Sequence, residues 1–299
     1  MSEETEKPKE TEMKQPETEP APRSNGGVVF SAMMQESKIL KGTIDAVSAI
    51  IDETYLVADE RGLTLIAMDE SHICLMVMVL PKGLFDAFAC TGAGRMGLNL
   101  EDMTKIMKRA SANDAVEFKH QKDSEKFQVQ MKGTGTRTFS LRLVEIDEEK
   151  IPPSAELDVH FDAKVTLDVD ILDQAIKDAE IYQDTLEVQI TKEQGVKFSA
   201  AGEVGDIEYQ LDQDHLEAAD IQKGGRGVFS LAFLKNILKI SAITKKVTLN
   251  IAENAPLKFE FEVANPRTNE KGEPIATATG KVTYFLAPRV EEEESYETD

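Results

Sequence analysis

Between residues 37 and 51, Leu40, Ile44, Val47 and Ile51 recur at a helical spacing, with Lys38, Lys41, Asp45 and Ser48 opposite. The stripe predicts an amphipathic helix with one buried face. The period then shortens. "TYLVADERGLTLIAM" alternates, breaks at Arg-Gly and resumes, which predicts strands joined by a turn. A second helical pattern covers about 100–110, followed by the strand-like "AVEFKH", "KFQVQMKG" and "TRTFSLRLV".

The same grammar returns further along. Ile39, Leu40 and Ile44 fall on Ile171, Leu172 and Ile176, and Gly62 on Gly195. "GLNLEDMTKIMK" falls on "GVFSLAFLKNILK", so that Leu100, Met103, Ile106 and Lys108 meet Leu231, Leu234, Ile237 and Lys239. The second copy has its own helix over about 230–242 and its own strands, "KVTLNIAE", "LKFEFEVA" and "KVTYFLAP". Two similar α+β domains are expected, each with two helices on one face of an antiparallel sheet. They span 28–145 and 157–290. The acidic, proline-bearing stretch 146–156 reads as a connector, 1–27 as a disordered extension, and 291–299 as an acidic tail.

Charge adds a constraint. The chain of 299 residues has a formal net charge of −21. Residues 1–24 hold seven acids and four bases, and the stretch after Val290 holds six acids and no base. The rest still carries 42 acids against 30 bases. Such a body repels nucleic acid at long range unless its bases gather on one surface. The predicted helix faces supply that gathering: Lys38, Lys41, Lys105, Lys108, Arg109, Lys177, Lys235 and Lys239, with Lys245 and Lys246 just beyond. A solvated helix face would show lysines too, but matched positions in two copies favour one shared partner.

Other chemistry is sparse. No apolar run approaches a membrane span, and the N-terminal stretch lacks the apolar core of a signal peptide. Cys74 and Cys90 form no metal-ligand cluster with the four histidines and read as small hydrophobes of a reducing compartment. Ser71, His72 and Asp69 are read as neighbours on a strand whose side chains diverge, so they close no triad. "GAGRMG" (92–97) fits the dinucleotide fingerprint, with Glu117 twenty residues beyond Gly97. A strand-like piece separates those glycines from the helix, however, so the turn reads as a hairpin kept by the repeat. A nucleotide-dependent enzyme is the competing reading; no enzyme and no cofactor is expected.

Taken together, "GLTLIAMDESHICLM", "GLNLEDMTKIMKRA", "QGVKFSAAGEVGDIEYQL", "APLKFEFEVA" and "YFLAPRVEEEE" resemble the sliding DNA clamps of archaea and eukaryotes, the proliferating cell nuclear antigen family. The likeness runs from about Val28 to Glu294. It implies three subunits closing into a six-domain ring around duplex DNA, with helices lining the hole and sheets outside. The subunits would be identical or paralogous, joined by edge strands around Thr136–Leu143 and Asp206–Leu211. The implied partners are DNA polymerase, clamp loader, flap endonuclease and DNA ligase, each held by a clamp-binding peptide. No membrane partner is implied.

The resemblance also implies positions. The DNA-facing set is Lys38, Lys41, Lys105, Lys108, Arg109, Lys177 and Lys239. The peptide pocket takes Met68, His72 and Ile73 from one loop, and Leu143, Val144 and Ile146 before the connector. Pro256, Phe285, Ala287 and Pro288 complete it. Pro288 is expected to leave the backbone after it free for a peptide to bond. The chain departs from the family in four places: its N-terminal extension, an acidic third helix with Lys177 nearly alone, a short connector, and an apparent insertion over 265–280 expected near the outer face. Nothing resembles a nuclear-localisation run. That points to an archaeal source and a nucleoid-associated cytoplasmic location; a eukaryotic source would make it nuclear.

Overall fold

A computed structural model describes residues 28–92, 94–147, 151–152, 154–155, 157–268 and 271–289. The first repeat runs β1 (Val28–Met34), α1 (Lys38–Val47), β2 (Glu53–Asp59), β3 (Gly62–Met68), β4 (Cys74–Pro81), β5 (Ala87–Cys90), β6 (Gly94–Asn99), α2 (Leu100–Met107), β7 (Ala115–Gln121), β8 (Lys126–Lys132) and β9 (Thr136–Arg142). The second runs β10 (Ala163–Asp168), α3 (Val169–Ala179), β11 (Thr185–Thr191), β12 (Gly195–Gly202), β13 (Gly205–Leu211), β14 (Ala218–Ile221), β15 (Gly225–Ser230), α4 (Leu231–Ile237), β16 (Lys246–Ile251), β17 (Leu257–Val263) and β18 (Gly280–Leu286). Each repeat thus holds the same order of strands and helices, as the sequence periodicity predicts.

The sheets divide accordingly. β5-β1-β7-β8-β9 form one sheet of the first repeat, and β14-β10-β16-β17-β18 are its counterparts in the second. β4-β3-β2-β6 likewise correspond to β13-β12-β11-β15. The repeats are not separate sheets, because β18 pairs antiparallel with β4 and fuses two of these groups into nine strands. A single buried core runs through both repeats, with Phe30, Phe118 and Phe127 in the first and Phe198, Phe229 and Phe259 in the second.

The apolar stripe of α1 is buried where the pattern put it, at Leu40, Ile44 and Val47, with Ile51 just beyond the helix. α2 starts at an N-cap, Asn99, whose side chain accepts from the Asp102 N–H at 3.0 Å. α1 packs on α2, and also on the 3-10 segment Leu238–Ala242 that continues α4. A glycine inside a helix costs about 1 kcal/mol, but a Cβ at Gly42 would overlap Ile243. The close seating of the two repeats' helices requires that position to be bare.

One expectation needs correction. The glycine-rich turn at 91–93 is no hairpin: β5 pairs with β1 and β6 with β2, so the turn carries the chain from one sheet to another. The segment read as an insertion over 265–280 is tied down through its described residues. It is fastened beside the start of α1: Asn265 donates to the Leu84 carbonyl at 3.1 Å, Arg267 pairs with Asp86 at 2.6 Å, and Thr277 N–H donates to Gly83 at 2.8 Å. Those polar anchors have no counterpart in the hydrophobic pattern. The extension 1–27 and the tail 291–299 lie outside the described residues.

Candidate functional site: a basic helix layer and an acid-rimmed cleft

The seven bases expected to face DNA all lie on the helix layer, exposed except for half-buried Lys41. Their electrostatics differ. Lys105 pairs with Glu101 at 2.9 Å and Asp102 at 3.0 Å, and Lys177 with Asp173 at 2.5 Å. These acids raise the lysine pKa values, chiefly by hydrogen bonding. Lys38, Lys41, Lys108, Arg109 and Lys239 have no carboxylate within 4.0 Å among the described residues. Five of the seven are therefore uncommitted, and the acidic third helix neutralises its own base.

The expected peptide pocket comes apart into two adjoining places. One is a cleft of about 730 Å³ that includes Met68, His72 and Ile146. Sequence patterns did not point to Ile50, Ile66 and Ile151 on its walls, residues of the turn after α1, of β3 and of the connector that carry no motif. Asp52, Glu53, Glu70, Glu145 and Asp147 also line it, so an apolar floor is rimmed by acid. The connector's start is fixed by Tyr55, whose hydroxyl accepts from the Ile146 N–H at 3.2 Å and donates to the Ile146 carbonyl at 3.1 Å. Arg95 stacks over the same ring, 4.1 Å from its centroid.

The other place is the apolar cluster of Leu75, Val77 and Phe285, against which Ile66, Met68, Ala155 and Phe161 pack. Phe285 is thus buried under residues at and beyond the connector, and Met68 belongs to both places. Leu143 packs on the main core instead, while Val144 and Pro256 are half-buried and line neither place. Ile73 is 36% exposed and accepts from the Ala287 N–H at 2.9 Å.

The backbone after Pro288 is not free. Arg289 N–H donates to the Val228 carbonyl on β15 at 2.7 Å, and its guanidinium reaches Asp184 at 3.0 Å. The first repeat ends alike, with Val144 N–H donating to the Gly97 carbonyl on β6 at 3.0 Å. A Cβ at Gly97 would overlap the Val144 carbonyl, which explains the glycine there. The last of the "GAGRMG" glycines therefore serves a chain crossing rather than a pyrophosphate.

The "MDESHI" loop is a turn, not a strand. Asp69 accepts from the N–H groups of Ser71, Ile73 and Cys74 at 2.9, 2.7 and 2.6 Å, and His72 takes a left-handed φ of 58°. The carboxylate is spent on holding the loop, which places His72 at the cleft. Burial pushes the Cys74 thiol far above its ordinary pKa.

Comparison with known proteins agrees with this architecture. Residues 29–150 match the N-terminal domain family of proliferating cell nuclear antigen, and residues 155–269 match its C-terminal domain family. The DNA polymerase sliding clamp of Methanothermobacter thermautotrophicus is 30% identical over 267 residues, 89% of this chain and 100% of that one. The chain belongs to the proliferating cell nuclear antigen family. A DNA polymerase sliding clamp of Cenarchaeum symbiosum is 28% identical over 266 residues, covering 88% of this chain and 99% of the other. In fold, the chain matches the crystal structure of Proliferating Cellular Nuclear Antigen from Entamoeba histolytica with a TM-score of 0.76. That match, at 22% identity, covers 88% of this chain and 100% of the other. The two curated relatives named here are archaeal, and each carries the name DNA polymerase sliding clamp.

Proposed function

We propose that this chain closes into a three-subunit ring around duplex DNA and holds polymerases and other replication enzymes on it. The observation that carries the reading is the pair of open edges. β9 and β13 end their sheets unpaired, and they are the repeat counterparts of β18 and β4, which pair with each other inside the chain. An edge strand left open is a template for another chain, and joining one end of a molecule to the other end of the next makes a ring when the rotation closes.

Carried to the open edges, the internal register sets Phe139 opposite Ile207 of a second copy and Thr138 opposite Glu208. Phe139 and Ile207 are half-buried here, whereas Thr138 and Glu208 are exposed. The charges are complementary, with Arg137 and Arg142 on β9 and Asp206 and Glu208 on β13.

In this reading the uncommitted bases Lys38, Lys41, Lys108, Arg109 and Lys239 touch phosphates. Such contacts carry no sequence information, which suits sliding. Lys105 and Lys177 contribute only by leaving their acids. A clamp-binding peptide from a polymerase, clamp loader, flap endonuclease or DNA ligase places apolar side chains between the "MDESHI" loop and the connector, on Met68, Ile146 and Ile151. No step of catalysis is assigned to the chain.

Light scattering on the purified protein, with primer extension alongside, tests the reading. Three chains per particle are expected, and a single chain that triples only with paralogues would make the ring heteromeric. Lys108→Glu with Lys239→Glu should cut polymerase stimulation several-fold at unchanged mass. Ile146→Ala with Ile151→Ala should weaken a clamp-binding peptide about tenfold, or about 1.4 kcal/mol. Unchanged stimulation and binding in these variants would reject both surfaces.

A further inference from the structure

The two repeats place the same pair of strands at the end of a sheet, β2 beside β6 in the first and β11 beside β15 in the second. Backbone bonds fix the equivalence residue by residue. Leu100 N–H donates to the Asp52 carbonyl at 2.8 Å, and Leu231 N–H to the Asp184 carbonyl at 2.9 Å. In this register Tyr55 stands opposite Gly97 where Glu187 stands opposite Val228, and Arg95 occupies the place of Arg226.

The arginine is present in both copies, but its cross-strand partner is not the same. In the second repeat Glu187 takes it as an ion pair, Nε to Oε1 at 3.1 Å. In the first, Arg95 lies over the Tyr55 ring, 4.1 Å from the centroid. A glutamate would serve Arg95 as well, since ion pairs and cation–π contacts at exposed sites are similar and small in strength. The arginine therefore does not explain the tyrosine.

What the tyrosine adds is a hydroxyl that can both accept and donate. It accepts from the Ile146 N–H at 3.2 Å and donates to the Ile146 carbonyl at 3.1 Å. An ionised carboxylate has no proton to give that carbonyl. The position opposite has changed as well. A Cβ at Gly97 would stand 3.3 Å from the Tyr55 ring and overlap the Val144 carbonyl, whereas the second repeat carries Val228 there. The copy that differs is the one whose end runs into the connector, where Ile146 and Ile151 line the acid-rimmed cleft. The matching crossing in the second repeat is secured by the Arg289 guanidinium on Asp184 at 3.0 Å.

We infer that Tyr55 is a positioning residue for partner binding: its hydroxyl latches the start of the connector, so that Ile146 stands as a finished wall before a peptide arrives. The inference rests on the peptide reading of the cleft. One side chain takes both polar groups of the Ile146 backbone, and Arg95 steadies the ring that carries it. A wall ordered in advance lowers the entropy lost on binding.

Tyr55→Glu gives the first repeat the second repeat's own pair, so Arg95 keeps a partner while the latch is lost. Tyr55→Phe is its companion; it keeps the ring under Arg95, adds no charge and removes only the oxygen. Hydrogen exchange at the Ile146 amide should quicken about tenfold or more in both variants of the full-length protein. A labelled clamp-binding peptide of a DNA polymerase should bind both about tenfold more weakly, at unchanged particle mass. Glu187→Gln breaks the matching pair in the second repeat and should leave peptide affinity as it was. Parental affinity in Tyr55→Phe, or a parental exchange rate at Ile146, overturns the proposal. An equal loss of affinity in Glu187→Gln would overturn it too, by reducing Tyr55 to a residue of strand stability. A peptide that fails to bind the unaltered protein would instead reject the cleft reading, and the exchange rates would still decide whether Tyr55 latches the connector.

Discussion

Inside the chain, β18 lies against β4 with Tyr284 opposite Met76 and Phe285 opposite Leu75. At the counterpart sheet ends, β9 and β13 show the same inward and outward alternation but have no strand on their outer side among the described residues. The inward residues agree in kind: Tyr284 and Met76 are fully buried, while their counterparts Phe139 and Ile207 rest half-buried on the core. The outward residues do not. Phe285, Leu75 and Val77 make an apolar cluster, whereas Ser140, Thr138, Asp206 and Glu208 are polar and exposed. The internal joint can be apolar on both faces because it never opens. An edge that exists free between synthesis and assembly needs a polar outer face to stay out of aggregates.

The comparison predicts opposite outcomes for damage at the two joints. Tyr284→Ala should cost about 3–5 kcal/mol of folding stability, read as a large fall in melting temperature whatever the protein concentration. In the proposed ring, Thr138→Glu with Ser140→Glu sets new acids against Glu208 and Asp206 of the next copy. Assembly should weaken about a hundredfold, near 2.7 kcal/mol, with the single chain melting within a few degrees of its parent. If the edge pair unfolds the chain, or Tyr284→Ala only dissociates it, the equivalence of the joints is wrong.

A smaller effect comes from the carboxylate that ties the strands beside the internal joint. Burial pushes Glu260 up, but hydrogen bonds from Lys281, Lys258 and Asn250 outweigh it and hold the pKa at about 2. A folded-state value below the unfolded 4.5 gives stability that is present above pH 4.5 and lost as pH falls toward 2. Glu260→Gln should cost about 1 kcal/mol at neutral pH and flatten the acid limb of the stability curve. An unchanged acid limb would show that the cluster is only a surface arrangement.

Much of this was legible in the sequence, for identifiable reasons. The repeat announced itself because Leu40, Ile44 and Leu100 and their counterparts are buried core positions, and burial constrains residue type. That Thr136–Leu143 and Asp206–Leu211 are edges came from the family resemblance, since alternation marks only a strand with one dry face. The peptide cleft was legible only in part. Its residues come from loops whose placement depends on single polar contacts, such as the Tyr55 hydroxyl on Ile146, and such contacts leave no periodic trace. The same holds for the ends of the repeats, where Arg289 crosses to Val228 through a backbone bond that any residue type could make.

The β4–β18 pairing also sets a clock. Residues 74–81 leave the ribosome some two hundred residues before 280–286 do, and at about 5–20 residues per second that gap lasts roughly ten to forty seconds. During this interval β4 has β3 on one edge, but the mate of its other edge does not yet exist. The β9 of the same nascent chain, or of a finished neighbour, offers the counterpart of that mate. Slow translation through the second repeat therefore favours chains hooked to one another at the wrong joint. A codon change there would alter the yield of well-formed protein while leaving every residue of it the same.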